Sequence, residues 1–307
     1  MNVPQVLSQA WQLVKNQELD RAKSLLDSAI PYGFEEPVLL GALKSISFWK
    51  ERLNILQSYN DPLAQADYFF MQWITYQEFA QRVGLLDEGC LYAFKVFVFG
   101  SVKNLLTHWI GKNDQFDPYY HLKLGICNKS MGDYEIALTN LEKAAEGLQD
   151  NPDLLSHLAD CYALMDETPR AKILFREAFY LDAQQVFLEM LESELIHRLV
   201  DHVQQRFDNS KEVKEWIPVY GVILGVFSIK RDLRALEFGK LRQSIYALER
   251  ELTHQPEKSH LIQPKLLNRY FWLIDKLVGQ GEEQEKIDEV LLKIKSLNPY
   301  IHGLYTK

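Results

Sequence analysis

Few residues in this sequence stand where chemistry could be done. Glu194, His197, Asp201 and His202 place four potential metal ligands at the 3- and 4-residue spacings of one helix face. A helical zinc site uses a His-Glu-x-x-His pattern, and a carboxylate-bridged metal pair uses two copies of Glu-x-x-His. Neither is present, so the cluster reads as a polar face and no metal is expected. Gly279-Gln280-Gly281 lacks the rest of a nucleotide-binding loop and runs into Glu282 and Glu283, which would repel phosphate. Its reading is a turn between the last two helices, and no cofactor is expected. Lys230, Arg231, Arg234, Lys240 and Arg242 gather basic charge, but Phe227 and Phe238 beside them fit the apolar faces of their own helices better than a base-stacking platform. Cys90, Cys127 and Cys161 form no Cys-x-x-Cys pair and read as small apolar fillers in a reducing compartment. No nucleophile, base and orienting group announce themselves together, so an enzyme is not expected.

The weight therefore falls on the elements that carry these residues. The chain has 307 residues, with 42 acidic against 34 basic side chains and a formal charge of −8, a balance that argues against a phosphate-neutralising surface and so against nucleic acid. The N-terminus has no basic region followed by an uninterrupted apolar stretch. The most apolar segment singled out, residues 217–229, is shorter than the ~20 residues of a membrane span, so a cytoplasmic chain without membrane insertion is expected. Gly221 and Gly225 within it suggest close helix packing.

Comparing the sequence with itself at an offset of 34 aligns Pro118 with Pro152, Leu124 with Leu158, Gly125 with Ala159, Cys127 with Cys161, Ala137 with Ala171, Leu141 with Phe175, and Ala144 with Ala178. Within each unit a small residue is followed 12 later by another, 4 later by a bulky apolar one, and 3 later by a third small one. Two helices approach closely only where both present little side chain, so Gly125 and Ala137 should mark a crossing point, with Leu141 filling the space beside it. Met131-Gly132-Asp133 and the stretch from Asp166 to Pro169 supply the turns.

These residues resemble the tetratricopeptide repeat family, whose 34-residue helical hairpins stack into a superhelix. The resemblance is clearest over residues 118–151 and 152–185. It is good over residues 3–36, through Ala10, Ala22, Leu26 and Ala29, and degenerate over 268–299, where Asp275 replaces a small residue. It implies an all-α chain, a single solenoid over residues 1–307. Extended helices of about 20 residues are read at 61–83, 91–110, 183–207 and 232–253, with a mobile loop at 254–264. It implies too a non-enzymatic scaffold or adaptor that binds a protein or peptide partner on its concave face. Carried over by position, the groove residues are Leu7, Trp11 and Val14; Tyr119, Leu122, Ile126 and Lys129; and Asp153, Ser156, Asp160 and Ala163. Leu122 and Ile126 stand where a carboxylate clamp needs cationic and amide donors, so the groove is expected to take an apolar or amphipathic segment instead. The alternatives are a structural subunit of a larger assembly and, less suited to the charge, a nucleic-acid-binding helical repeat. The aromatic group Tyr68, Phe69, Phe70, Trp73, Tyr76 and Phe79 is a candidate contributor to such a groove, but Phe69, Trp73 and Tyr76 keep a buried stripe's spacing, and core packing is the expectation.

Overall fold

A computed structural model of the chain describes residues 3–32, 37–83, 87–113 and 116–307; part of the repeat read at residues 3–36 lies outside them. The described residues form fifteen α-helices and no strand. The chain divides into two compact units, Met1–Leu148 and Gln149–Lys307.

In the first unit, α1 (Val3–Lys15), α2 (Leu19–Ala29), α3 (Pro37–Leu56), α4 (Pro62–Arg82) and α5 (Glu88–Ile110) pack in succession, and α5 returns to lie against α1. The core within them is aromatic: Trp49 is fully buried, with Tyr76, Phe97 and Phe94 rings centred 5.5, 5.8 and 6.5 Å away. Phe69, Trp73 and Tyr76 are buried, as their spacing predicts, and so is Phe70, whereas Tyr68 and Phe79 are half-buried. The hairpin of α6 (Pro118–Ser130) and α7 (Tyr134–Ala145) completes the unit. A side chain at Gly125 would place its Cβ 2.5 Å from Leu141, so the absence of one sets the closeness of this crossing.

Among the described residues, α5 rather than the segment 217–229 holds the long apolar stretch. This helix has the length and composition to cross a membrane, while Cys90, Phe94, Phe97, Phe99 and Leu106 on it are buried inside the unit. Burial pushes the Cys90 thiol up to about 12, which keeps it protonated and inert.

The second unit opens with the equivalent hairpin, α8 (Pro152–Leu164) and α9 (Thr168–Asp182), in which Ala171, Phe175 and Ala178 are fully buried. The long helix expected over residues 183–207 does not form. Two short 3-10 turns, Ala183–Gln185 and Leu188–Met190, precede α10 (Glu194–Gln204). The Asp182 carboxylate accepts the Gln184 N–H at 2.9 Å, and Asp160 accepts the Glu192 and Ser193 N–H groups at 2.8 Å each, so carboxylates take donors that a helix would have used internally.

The chain continues through α11 (Ser210–Ile223), α12 (Ala235–His254), α13 (Ser259–Gly279), α14 (Gln284–Leu297) and α15 (Pro299–Tyr305). The mobile loop expected at 254–264 is instead a 3-10 turn, Pro256–Lys258, leading directly into α13, with Pro264 buried inside that helix. Gly221 and Gly225 serve a helix end rather than a contact between helices. Gly225 takes φ +71°, Phe227 N–H returns to the Gly221 carbonyl at 2.8 Å, and a Cβ on Gly221 would stand 2.3 Å from the Phe227 ring. At the degenerate position, Asp275 pairs with Arg176 of α9 and, at 2.6 Å, with Lys230, so an ion pair replaces the contact between small residues.

One turn recurs in four hairpins. Gln17, Gly132, Asp166 and Gly281 adopt positive φ of 66°, 88°, 61° and 65°. Their N–H groups bond to Val14, Lys129, Ala163 and Val278 carbonyls three residues back, while the following N–H groups bond to Leu13, Asn128, Tyr162 and Leu277 five back. This paired pattern is the Schellman helix ending, and it occurs at the turn of each repeat read from the sequence. Because Gln17 carries a Cβ in the left-handed region, Gln17→Gly is expected to stabilise the first unit by about 0.5–1 kcal/mol, and Gly132→Ala to destabilise it by about 1 kcal/mol. Urea midpoints that rise for the first and fall for the second, with unchanged m, are the expected result.

Candidate interaction surface

Most of the residues expected to line an open groove are inside the protein. Val14, Leu122, Ile126, Lys129, Ser156 and Asp160 are buried, and Trp11 is 8% exposed; Leu7, Asp153 and Ala163 are half-buried, and only Tyr119 is open to solvent, at 47%. The reasons are local. Trp11 lies against α5, so that a Cβ at Gly89 would meet its ring at 3.3 Å, and Lys15 sits over the Tyr92 ring of the same helix at 4.7 Å. Nearly every side chain of α6 is buried, including Tyr120, Leu124 and Cys127. The Ser156 hydroxyl donates to the Asp153 carbonyl at 2.7 Å, and Asp160 holds the backbone before α10. These side chains shape the fold rather than an accessible surface.

What the sequence reading missed is a groove in the second unit of about 610 Å³, between the end of α8, the start of α10 and the residues after α11. Ala163 is the one anticipated residue that lines it. Its floor is apolar, from Leu164, Leu195, Leu199 and Val226, and Leu224 stands 46% exposed at its mouth. The amphipathic pattern of α10 positions this wall: Ile196, Leu199 and Val203 turn into the core, which leaves Glu194, Arg198 and His202 one turn apart along the rim. Arg198 Nε donates to Glu194 at 2.9 Å, while burial and the nearby Arg206 hold the His202 imidazole below its ordinary range, and therefore neutral at pH 7. Ser193 Oγ is buried in this wall without a hydrogen-bond partner. The signal in the sequence that points to the groove is the 4-residue spacing of Glu194, Arg198 and His202, two of which belong to the polar face read at Glu194, His197, Asp201 and His202.

The first unit has its own groove, of about 600 Å³, along α2, α3 and α4. Leu40, Phe48 and Phe79 line it together with Lys23, Lys44, Arg52 and Arg82, against Asp27 and Glu51. The Arg52 guanidinium lies 3.3 Å from the Phe48 ring centre and its Nε donates to Gln72 at 2.8 Å, so this cation is held as part of the wall.

The other residues weighed for chemistry do not converge. Among the described residues no three His, Cys, Asp or Glu side chains gather to hold a metal. His197 Nε2 is 2.8 Å from the Leu191 carbonyl, and His202 packs edge-on to Tyr220. Lys230, Arg231 and Arg234 are engaged with Asp275, Glu177 and Glu237, and the three cysteines are buried and form no disulfide. Gly281 makes the turn between α13 and α14. No protein-family model, no curated protein and no solved structure matches the chain.

Proposed function

We propose that this chain is a non-enzymatic, cytoplasmic scaffold of tetratricopeptide-like hairpins that binds a protein partner. The observation that carries the reading is the Schellman turn shared by Gln17, Gly132, Asp166 and Gly281, of which Gly132 and Asp166 are separated by the 34-residue sequence period; it supports a common hairpin unit. Burial of the positions used by related repeats supports moving the contact to the groove between α8 and α10. Its apolar floor and polar rim suit an amphipathic helix or an extended segment with alternating apolar side chains.

A photo-crosslinking residue placed at Leu224 tests this in cells. A discrete protein adduct is expected there, and Leu224→Asp should weaken binding of the identified partner at least ~tenfold, the effect of losing an apolar anchor. Leu224 is solvent-facing, so helicity should not change. Unchanged binding by the variant would remove the groove from consideration. A purified chain that turns over a small-molecule substrate and gives no adduct would overturn the scaffold reading itself.

A further inference from the structure

A separate polar cavity of about 180 Å³ lies where the end of α9 meets α11 and α13, and it is independent of the groove above. Four charged residues line it. Lys265 Nζ is 3.3 Å from Glu215 Oε1, which also accepts the Gln184 amide at 2.7 Å. The Asp182 oxygens are turned to the Gln184 N–H and, at 3.0 Å, to the Gln185 side chain. The fourth, Arg269, has no carboxylate within ion-pair distance among the described residues. Its guanidinium lies 4.0 Å from the Tyr180 ring centre, Nη1 donates to the Tyr180 carbonyl at 2.5 Å, and Nε is buried with no hydrogen-bond partner. Asn268 beside it is 3% exposed, and its Oδ1 is buried and unpartnered.

The contrast within the same unit is informative. Arg176 is matched by Asp275, and Arg231 by Glu177 and Glu237. Desolvating a cation with no carboxylate in contact is unfavourable, and here burial lowers the guanidinium's proton affinity, an effect that Tyr180 and the more distant Glu215 and Asp182 only partly offset. We propose that this cavity binds a small aliphatic monocarboxylate, with the carboxylate on the Arg269 fork and the tail against Phe179, Leu181 and Ala183. A planar two-oxygen anion matches a guanidinium edge. Lys265 and Glu215 pair with each other and Asp182 is held by Gln184 and Gln185, which leaves the Arg269 guanidinium to meet a ligand; against the two carboxylates already in the lining a dianion is disfavoured. The small volume, about 180 Å³, limits the ligand to a short chain.

Ligand-observed NMR saturation transfer on the full chain, with propionate and its neutral isostere propionamide at matched ionic strength, tests the assignment. Saturable propionate binding is expected, at least ~tenfold tighter than propionamide. Arg269→Lys keeps the charge and loses the fork, and should weaken propionate by about tenfold. Equal affinity for acid and amide, or unchanged propionate affinity in a folded Arg269→Lys protein, overturns the site. Inorganic phosphate binding more tightly than propionate overturns the single-charge assignment. Should the variant fail to fold, the acid and amide comparison on the natural chain decides alone.

Discussion

Asp275→Ala is expected to destabilise the second unit by about 3–5 kcal/mol, measured as a fall in its urea midpoint at neutral pH. The Arg176 side chain is 2% exposed and stacks on Trp272, its charge centre 4.6 Å from the ring, so it cannot reach water once its carboxylate is gone. Nearly all of the effect should come from that stranded guanidinium. Lys230, the second partner of Asp275, is 54% exposed and should contribute little by itself, because solvent screens its charge. A double replacement, Arg176→Met with Asp275→Leu, separates the two possibilities. It removes both charges while keeping apolar volume, and should recover most of the lost stability, since a buried pair seldom exceeds an apolar replacement by much. A single variant with the natural midpoint would mean that the pair is solvated.

The parts of this fold legible in the sequence are those decided within one hairpin. Small residues 12 apart bring Gly125 against Leu141, and the left-handed ending at Gly132 and Asp166 depends on a few consecutive residues. What escaped the sequence is decided by distant partners. Nothing near Trp11 shows that α5, some eighty residues on, will cover it, and the hydrophobic spacing of 183–207 suits a helix until Asp160 captures two of its N–H groups. Asp275 looked like a flaw in a repeat because its partner, Arg176, lies 99 residues earlier. Most of the groove residues carried over by resemblance are buried for the same reason: the exposure of a helix face is set by the element packed on it, not by its own pattern.

Asp160 separates the two uses of that helix face most sharply. If it contacted a partner, Asp160→Ala would leave the urea midpoint unchanged and abolish binding. The geometry requires the reverse. Its carboxylate is 0% exposed and accepts the Glu192 and Ser193 N–H groups, both at 2.8 Å, so truncation leaves two donors to be satisfied and releases the segment that delivers α10. Hydrogen bonds to an ionised acceptor contribute about 1.5–3 kcal/mol each, so a loss of about 3–5 kcal/mol is expected. Asp160→Asn retains one oxygen acceptor and should lose about half as much. Hydrogen exchange locates the effect: the Glu192 and Ser193 amides should lose protection first, followed by α10, while α6 and α7 in the first unit stay protected. Partner binding should then fall only as far as α10 is displaced, because Glu194, Arg198 and Leu199 of that helix wall the groove. The coupling has a direction: Leu224→Asp should disturb binding without touching stability, and Asp160→Ala should disturb stability first and binding through it. A variant of Asp160 with natural stability and no binding would return this face of α8 to the role that resemblance assigned it.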